Sequence, residues 1–202
     1  MAKFKSEELI NELKADVQNI LTAAEYIKGS EKGKLVYQPA KDKWSVVQVL
    51  EHLNAYGRYY LPLIETSVSE RNAPKDAWFT SGRMGEYFIS IMKPTNVYEI
   101  KNKMKAMKDY SFQNSLNVEN VVNEFLDQQQ KMLQLLDNAR ESNLNTIRIP
   151  ITLTKMLKLK LGDIFRFLIA HEQRHMIQAR NTLKTTGVAT DKFPVILRVA
   201  AR

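Results

Sequence analysis

Apolar residues recur at three- and four-residue steps through four long stretches of this 202-residue chain, and that periodicity most constrains how it can fold. A helix turns once every 3.6 residues, so this spacing gathers apolar side chains on one face that must be buried. The first stretch runs from Ser6 to Lys28 with Leu9, Ile10, Leu13, Val17, Ile20, Leu21, Ala24 and Ile27, and closes at Gly29-Ser30. The second follows Trp44-Ser45 with Val46, Val47, Val49, Leu50, Leu53, Tyr56, Tyr60 and Leu63, and is expected to bend at Pro62. The third spans Asn117 to Glu141, with Asn117 or Ser115 as cap and Val121, Val122, Phe125, Leu126, Met132, Leu133, Leu135 and Leu136 as stripe. The last runs from about Leu161 to Thr185 and ends at Gly187.

Four such stripes predict an all-α protein, a four-helix bundle in one domain over residues 1–202 with its core at about 6–186. A long connection separates the second and third main helices. Its stretch from Ser69 to Asn96 holds Pro74, Gly82, Gly85 and Pro94, with a short helix expected around Met84 to Met92. That length suggests a cover over something. From Thr146 to Leu153 the alternation of Ile147, Ile149, Ile151 and Leu153 is strand-like but interrupted by Pro150, and reads as extended loop. No internal repeat is visible, and the last fifteen residues carry no clear assignment.

Composition removes several classes. With 44% hydrophobic and 26% charged residues the chain is neither disordered nor fibrous. The amino terminus has no apolar segment of a secretory signal, and no apolar run reaches the roughly 18 to 20 residues that span a bilayer. With no cysteine there is no disulfide, thiolate ligand or cysteine nucleophile, so a soluble cytoplasmic protein without a membrane partner is expected. The net charge of +8 raises the question of nucleic acid. The lysines gather at Lys101, Lys103, Lys105 and Lys108 and at Lys155, Lys158 and Lys160, without interleaved arginine and aromatic residues. They read as solvated surface, with no specific nucleic-acid partner.

The chain has three histidines, all on expected helices. His171 and His175, four apart, share one face of the last helix within reach of a single ion. Ile164, Phe167, Leu168 and Gln178 flank that face, so the pair looks inward, where an unsatisfied ring nitrogen costs on the order of 1 to 3 kcal/mol. His52 lies on a similarly inward face of the second helix with Ser45, Gln48, Val49, Tyr56 and Tyr59. Together the three suit one divalent ion, zinc, nickel or iron(II), with coordination positions left open. Gln48, Glu51, Glu172 and Gln178 are the candidates for orienting the rings.

His171-Glu172-Gln173-Arg174-His175 is also an H-E-x-x-H string, in which two histidines bind zinc and the glutamate is the base of a metallopeptidase. No glutamate follows Glu172, and Gln178 and Asn181 stand where metzincins place glycine and a third histidine. Asp191 is the remaining downstream carboxylate. On a helical wheel Glu172 points about 80° from the midpoint of the two histidines. The peptidase is therefore the weaker reading.

Two segments resemble the DinB-like (YfiT-like) superfamily of metal-dependent four-helix bundles. Trp44-Ser45 through Leu50-Glu51-His52-Leu53 is similar to the family's W-S-x-x-x-x-L-x-H-L. Leu161-Gly162-Asp163-Ile164 through His171-Glu172-Gln173-Arg174-His175-Met176-Ile177-Gln178 is similar to its H-x-x-R-H-x-x-Q form. The resemblance implies His52, His171 and His175 as metal ligands and a homodimer. It implies an enzyme acting on a small molecule, a hydrolase or an S-transferase using a low-molecular-weight thiol as co-substrate. A catalytically silent metal-binding bundle is the alternative. Catalytic candidates are Glu172, Tyr56, Tyr59 and Arg174. Thr154 to Lys160 departs from the glycine-containing turn expected before the last helix.

Overall fold

The computed structural model describes residues 1–70, 74–96 and 116–197. In chain order its elements are β1 (Lys3–Lys5), α1 (Ser6–Lys28), α2 (Lys32–Val36), α3 (Val46–Ser69), β2 (Trp78–Thr80), α4 (Arg83–Met92), α5 (Val118–Asn138), β3 (Arg148–Ile151), β4 (Thr154–Lys160) and α6 (Leu161–Thr185). The four long helices α1, α3, α5 and α6 form the expected bundle. The starts of two of them, α3 and α5, are marked by side-chain caps. Ser45 accepts the Gln48 backbone N–H while the Gln48 side chain accepts that of Ser45, a reciprocal cap that opens α3. Asn117 accepts the Asn120 N–H at 3.0 Å and opens α5. The helix assignment continues through Pro62, although proline removes one hydrogen bond of the α3 ladder.

Cross-helix pairs fix the directions. Arg58 binds Glu124 and Glu65 binds Lys131, so position rises together along α3 and α5, which are parallel. Asn11 accepts from Arg140, just past the end of α5, and Lys14 pairs with Asp137; the order reverses, so α1 and α5 are antiparallel. Tyr60 packs on Phe167 and His52 on His175, making α3 and α6 antiparallel. Because α3 and α5 point the same way, the chain between them must return along the bundle, about 36 Å for the 24 residues of α3. This accounts for the long connection without requiring a cover.

The described part of that connection is itself packed. β2 pairs antiparallel with β1 in the register Lys3 to Thr80, Phe4 to Phe79 and Lys5 to Trp78. Neither strand was expected. The short helix α4 lies where the sequence placed it and packs along α6. A Cβ at Gly85 would sit 2.2 Å from the Asp163 carboxyl carbon, so only glycine admits this approach. Asp163 is buried and accepts from the Ser81 hydroxyl and, at 2.9 Å, from the Gly82 N–H. Arg166 donates to Ser81 at 2.8 Å and Glu86 at 2.7 Å, completing a polar lock between α4 and α6. The cluster Lys101, Lys103, Lys105 and Lys108 lies outside the described residues.

The segment read as extended loop is instead one strand of a hairpin. β3 pairs with β4 from Arg148 opposite Lys160 to Ile151 opposite Thr154, and the register shifts between Pro150 and Ile151. Proline has no N–H for the ladder, and the pairing accommodates it by this irregularity. The alternation holds: Ile149, Ile151 and Leu159 are buried while Arg148 and Lys158 are exposed. The Tyr60 hydroxyl accepts the Thr152 N–H at 3.1 Å and ties the hairpin to α3.

Gly187 takes a positive φ of 79° after α6, and the tail turns back over α1. There Tyr26 donates to the Ala189 carbonyl at 2.9 Å, and Phe193 and Ile196 are buried. The core thus extends past residue 186. Among the described residues no helix is long and apolar enough to cross a membrane.

Candidate metal centre

His52 on α3 and the pair His171 and His175 on α6 meet where these antiparallel helices pack. One potential ligand nitrogen from each histidine falls within 4.8 Å of the others. His52 Nε2 and His171 Nε2 are 3.2 Å apart. Two ligands about 2.0 to 2.1 Å from a tetrahedral ion lie about 3.3 Å from one another, so this spacing is that of one coordination edge. Among the described residues this is the one group of three or more histidine and carboxylate side chains placed to share an ion.

The rings are in the form that ligation needs. His52 and His171 are only 4% and 2% exposed. Burial lowers the His52 pKa to about 4. Burial, then repulsion from His52, lowers that of His175 to about 3, against an upward effect of Gln178. Burial also holds His171 well below the usual range, with further lowering from His175, His52 and Arg174. All three are therefore neutral at pH 7, with lone pairs available. The Gln178 carbonyl lies 2.9 Å from His175 Nδ1, which must donate to it, leaving Nε2 as the acceptor nitrogen. His171 Nδ1 is buried with no hydrogen-bond partner among the described residues.

Aromatic rings enclose the cluster. Trp44, one residue before the cap of α3, packs on His52 at 5.0 Å and stacks on His175 at 6.2 Å between centroids. Tyr56 packs on His171 at 4.4 Å and on His52 at 5.0 Å. Phe167, one turn before His171, stacks parallel to it at 6.0 Å. Tyr59 is a layer away, edge-on to Tyr60. Arg174 is 7% exposed, and burial lowers its pKa.

The candidate orienting residues divide. Gln178 reaches a histidine. Gln48 is occupied by the α3 cap and by Gln38, whose side chain donates to it at 2.9 Å. Glu51 turns to Arg58, which donates to both of its oxygens. Glu172 reaches across the bundle to α5, accepting from Gln129 at 3.2 Å. Burial raises the Glu172 pKa to about 7, opposed by that hydrogen bond. A carboxyl held on α5 is not facing the histidine cluster, contrary to the geometry of a zincin base. Gln129 went unnoticed in the sequence, although it sits on the α5 stripe between Phe125 and Met132, where an amide is out of place.

Comparison with known proteins completes the picture. A family model described as the DinB superfamily matches residues 8–179. The chain belongs to the DinB superfamily. That span contains all three histidines and most of the four long helices. Among solved structures it is similar to YfiT from Bacillus subtilis, described as a probable metal-dependent hydrolase with an unusual four-helix bundle topology. The similarity has a TM-score of 0.53 at 12% identity and covers 94% of this chain and 91% of that one. At that identity it shows a shared fold. No curated protein matches this DinB-superfamily chain.

Proposed function

We propose that His52, His171 and His175 hold one divalent metal ion and that the protein is a metal-dependent enzyme acting on a small molecule, as a hydrolase or a thiol S-transferase. The convergence of three neutral imidazoles from two helices within 4.8 Å carries this reading. Burying three imidazoles together is costly unless their nitrogens are satisfied, and an ion satisfies one on each ring. The description of YfiT as a probable metal-dependent hydrolase supports the same direction. When bound, such an ion supplies a Lewis acid that lowers the pKa of a water or thiol. The chain contributes the rest: Gln178 fixes the His175 tautomer, and Trp44, Tyr56 and Phe167 limit water at the cluster. Any thiol must come from outside, since the chain has no cysteine.

The near-complete burial of His52 and His171 favours one second reading, a metal-stabilised bundle without turnover. Two measurements separate the possibilities. Elemental analysis is expected to find one metal ion per wild-type chain and none in His171→Ala. The metal-loaded protein is then assayed with simple esters and amides, and with thiols paired with electrophiles. Turnover lost in His171→Ala supports the enzyme; full metal content with no turnover across both panels supports the silent bundle. No metal in the wild type overturns both.

A further inference from the structure

The β3–β4 hairpin stands on a buried base and ends in an apolar tip. Ile149, Ile151 and Leu159 are buried, and the Thr152 N–H is held by the Tyr60 hydroxyl, so the tip is fixed to the bundle. The chain turns at Thr152-Leu153. Between the Thr154 and Lys158 pairings β4 bulges, leaving Lys155, Met156 and Leu157 without residues opposite. Leu153 in the turn is 57% exposed and Met156 in the bulge 94%. Turns and bulges facing water are ordinarily polar, and apolar side chains gain nothing there. The charge around the tip is of one sign. From Ser142 to Gly162 the sequence holds Arg148, Lys155, Lys158 and Lys160 and no carboxylate. Arg148 lies opposite Lys160 and Pro150 opposite Lys158, which puts the exposed Arg148 and Lys158 together on the outer face. Neither forms an ion pair among the described residues. Like charges on neighbouring strands repel until anions gather there.

We propose that this tip is a contact for an anionic membrane surface, Leu153 and Met156 entering the headgroup layer while Arg148 and Lys158 meet the lipid anions. An acidic protein or a nucleic acid would satisfy the cations alone; a charged bilayer satisfies the apolar tip as well. Such a peripheral contact needs no spanning helix, so the lack of one among the described residues is compatible with it.

The test is sedimentation of the full-length protein with vesicles of phosphatidylcholine alone or with about 30% phosphatidylserine. Affinity for the anionic vesicles is expected to be at least about tenfold higher and to fall as salt is raised. Leu153→Ser combined with Met156→Ser, and separately Arg148→Gln combined with Lys158→Gln, should each weaken it by about tenfold. These side chains are exposed, so the variants should keep the helical circular dichroism of the wild type. Lys41→Gln, exposed in the loop before α3, should bind as the wild type does. No binding to either vesicle, or equal binding to both, overturns the proposal. Binding undiminished by the two serine substitutions also overturns it, because adsorption through the net charge of +8 would then suffice. Capture of polyglutamate without any binding of the vesicles overturns it in favour of an acidic protein partner.

Discussion

At the scale of single residues, the site depends on which way a few polar side chains turn. Gln178 holds His175 Nδ1, and residues that orient metal-binding histidines in this way contribute about 10- to 100-fold in affinity. Gln178→Ala should therefore weaken zinc binding by about that factor in a calorimetric titration; an unchanged affinity would remove its orienting role. Glu172→Gln should leave zinc affinity within about twofold, because its carboxyl lies on Gln129. A large loss would restore it to the centre. The pairing of His171 and His175 was legible from spacing alone, since helical geometry dictates that they share a face, whereas His52 was joined to them only by the inward face of its own helix and by the family resemblance. The directions of Gln48 and Glu51 were not legible. A wheel places a residue on a face without choosing its rotamer, and here the α3 cap took Gln48 while Arg58 took Glu51.

At the scale of elements, the helices were legible because each buries one continuous stripe, and the bounds of α1 and α6 match the sequence reading. The strands were not. β1 and β2 have three residues each, too few for alternation to show, and their partners are distant in sequence. Pro150 disguised β3, because the register shift that accommodates it forms only once β4 is present. The α4–α6 contact yields a paired prediction. Gly85→Ala places a Cβ against the buried Asp163 carboxyl, and overpacking of this kind costs typically about 1 to 3 kcal/mol. Gly33→Ala meets nothing within 4 Å on α2, and a helical glycine replaced in open space gains about 0.4 to 1 kcal/mol. Urea midpoints should move in opposite directions. Equal shifts would contradict the packing described for Gly85.

At the scale of the whole molecule, parallel α3 and α5 explain the length of the connection, which the sequence displayed without its reason. Helix directions become visible only in pairs such as Arg58 with Glu124 and Lys131 with Glu65. The buried histidines also couple global stability to pH. His52 and His175 have folded pKa values of about 4 and about 3, below the unfolded value of about 6.5. Between these limits the unfolded chain binds protons that the folded one refuses, so stability falls as pH drops. It is fully present above about pH 6.5, and each unit below costs about 1.4 kcal/mol per such histidine. The metal-free protein should show a urea midpoint that declines from about pH 6.5 towards pH 4. A flat midpoint through that window would mean the rings are not buried as described. The central claim, one ion held by three histidines from two helices, is tested most directly by X-ray absorption on zinc-loaded protein. The account predicts three imidazole nitrogens at about 2.0 to 2.1 Å, falling to two in His52→Ala. A shell of oxygen ligands without imidazole, or one unchanged by that substitution, would contradict it.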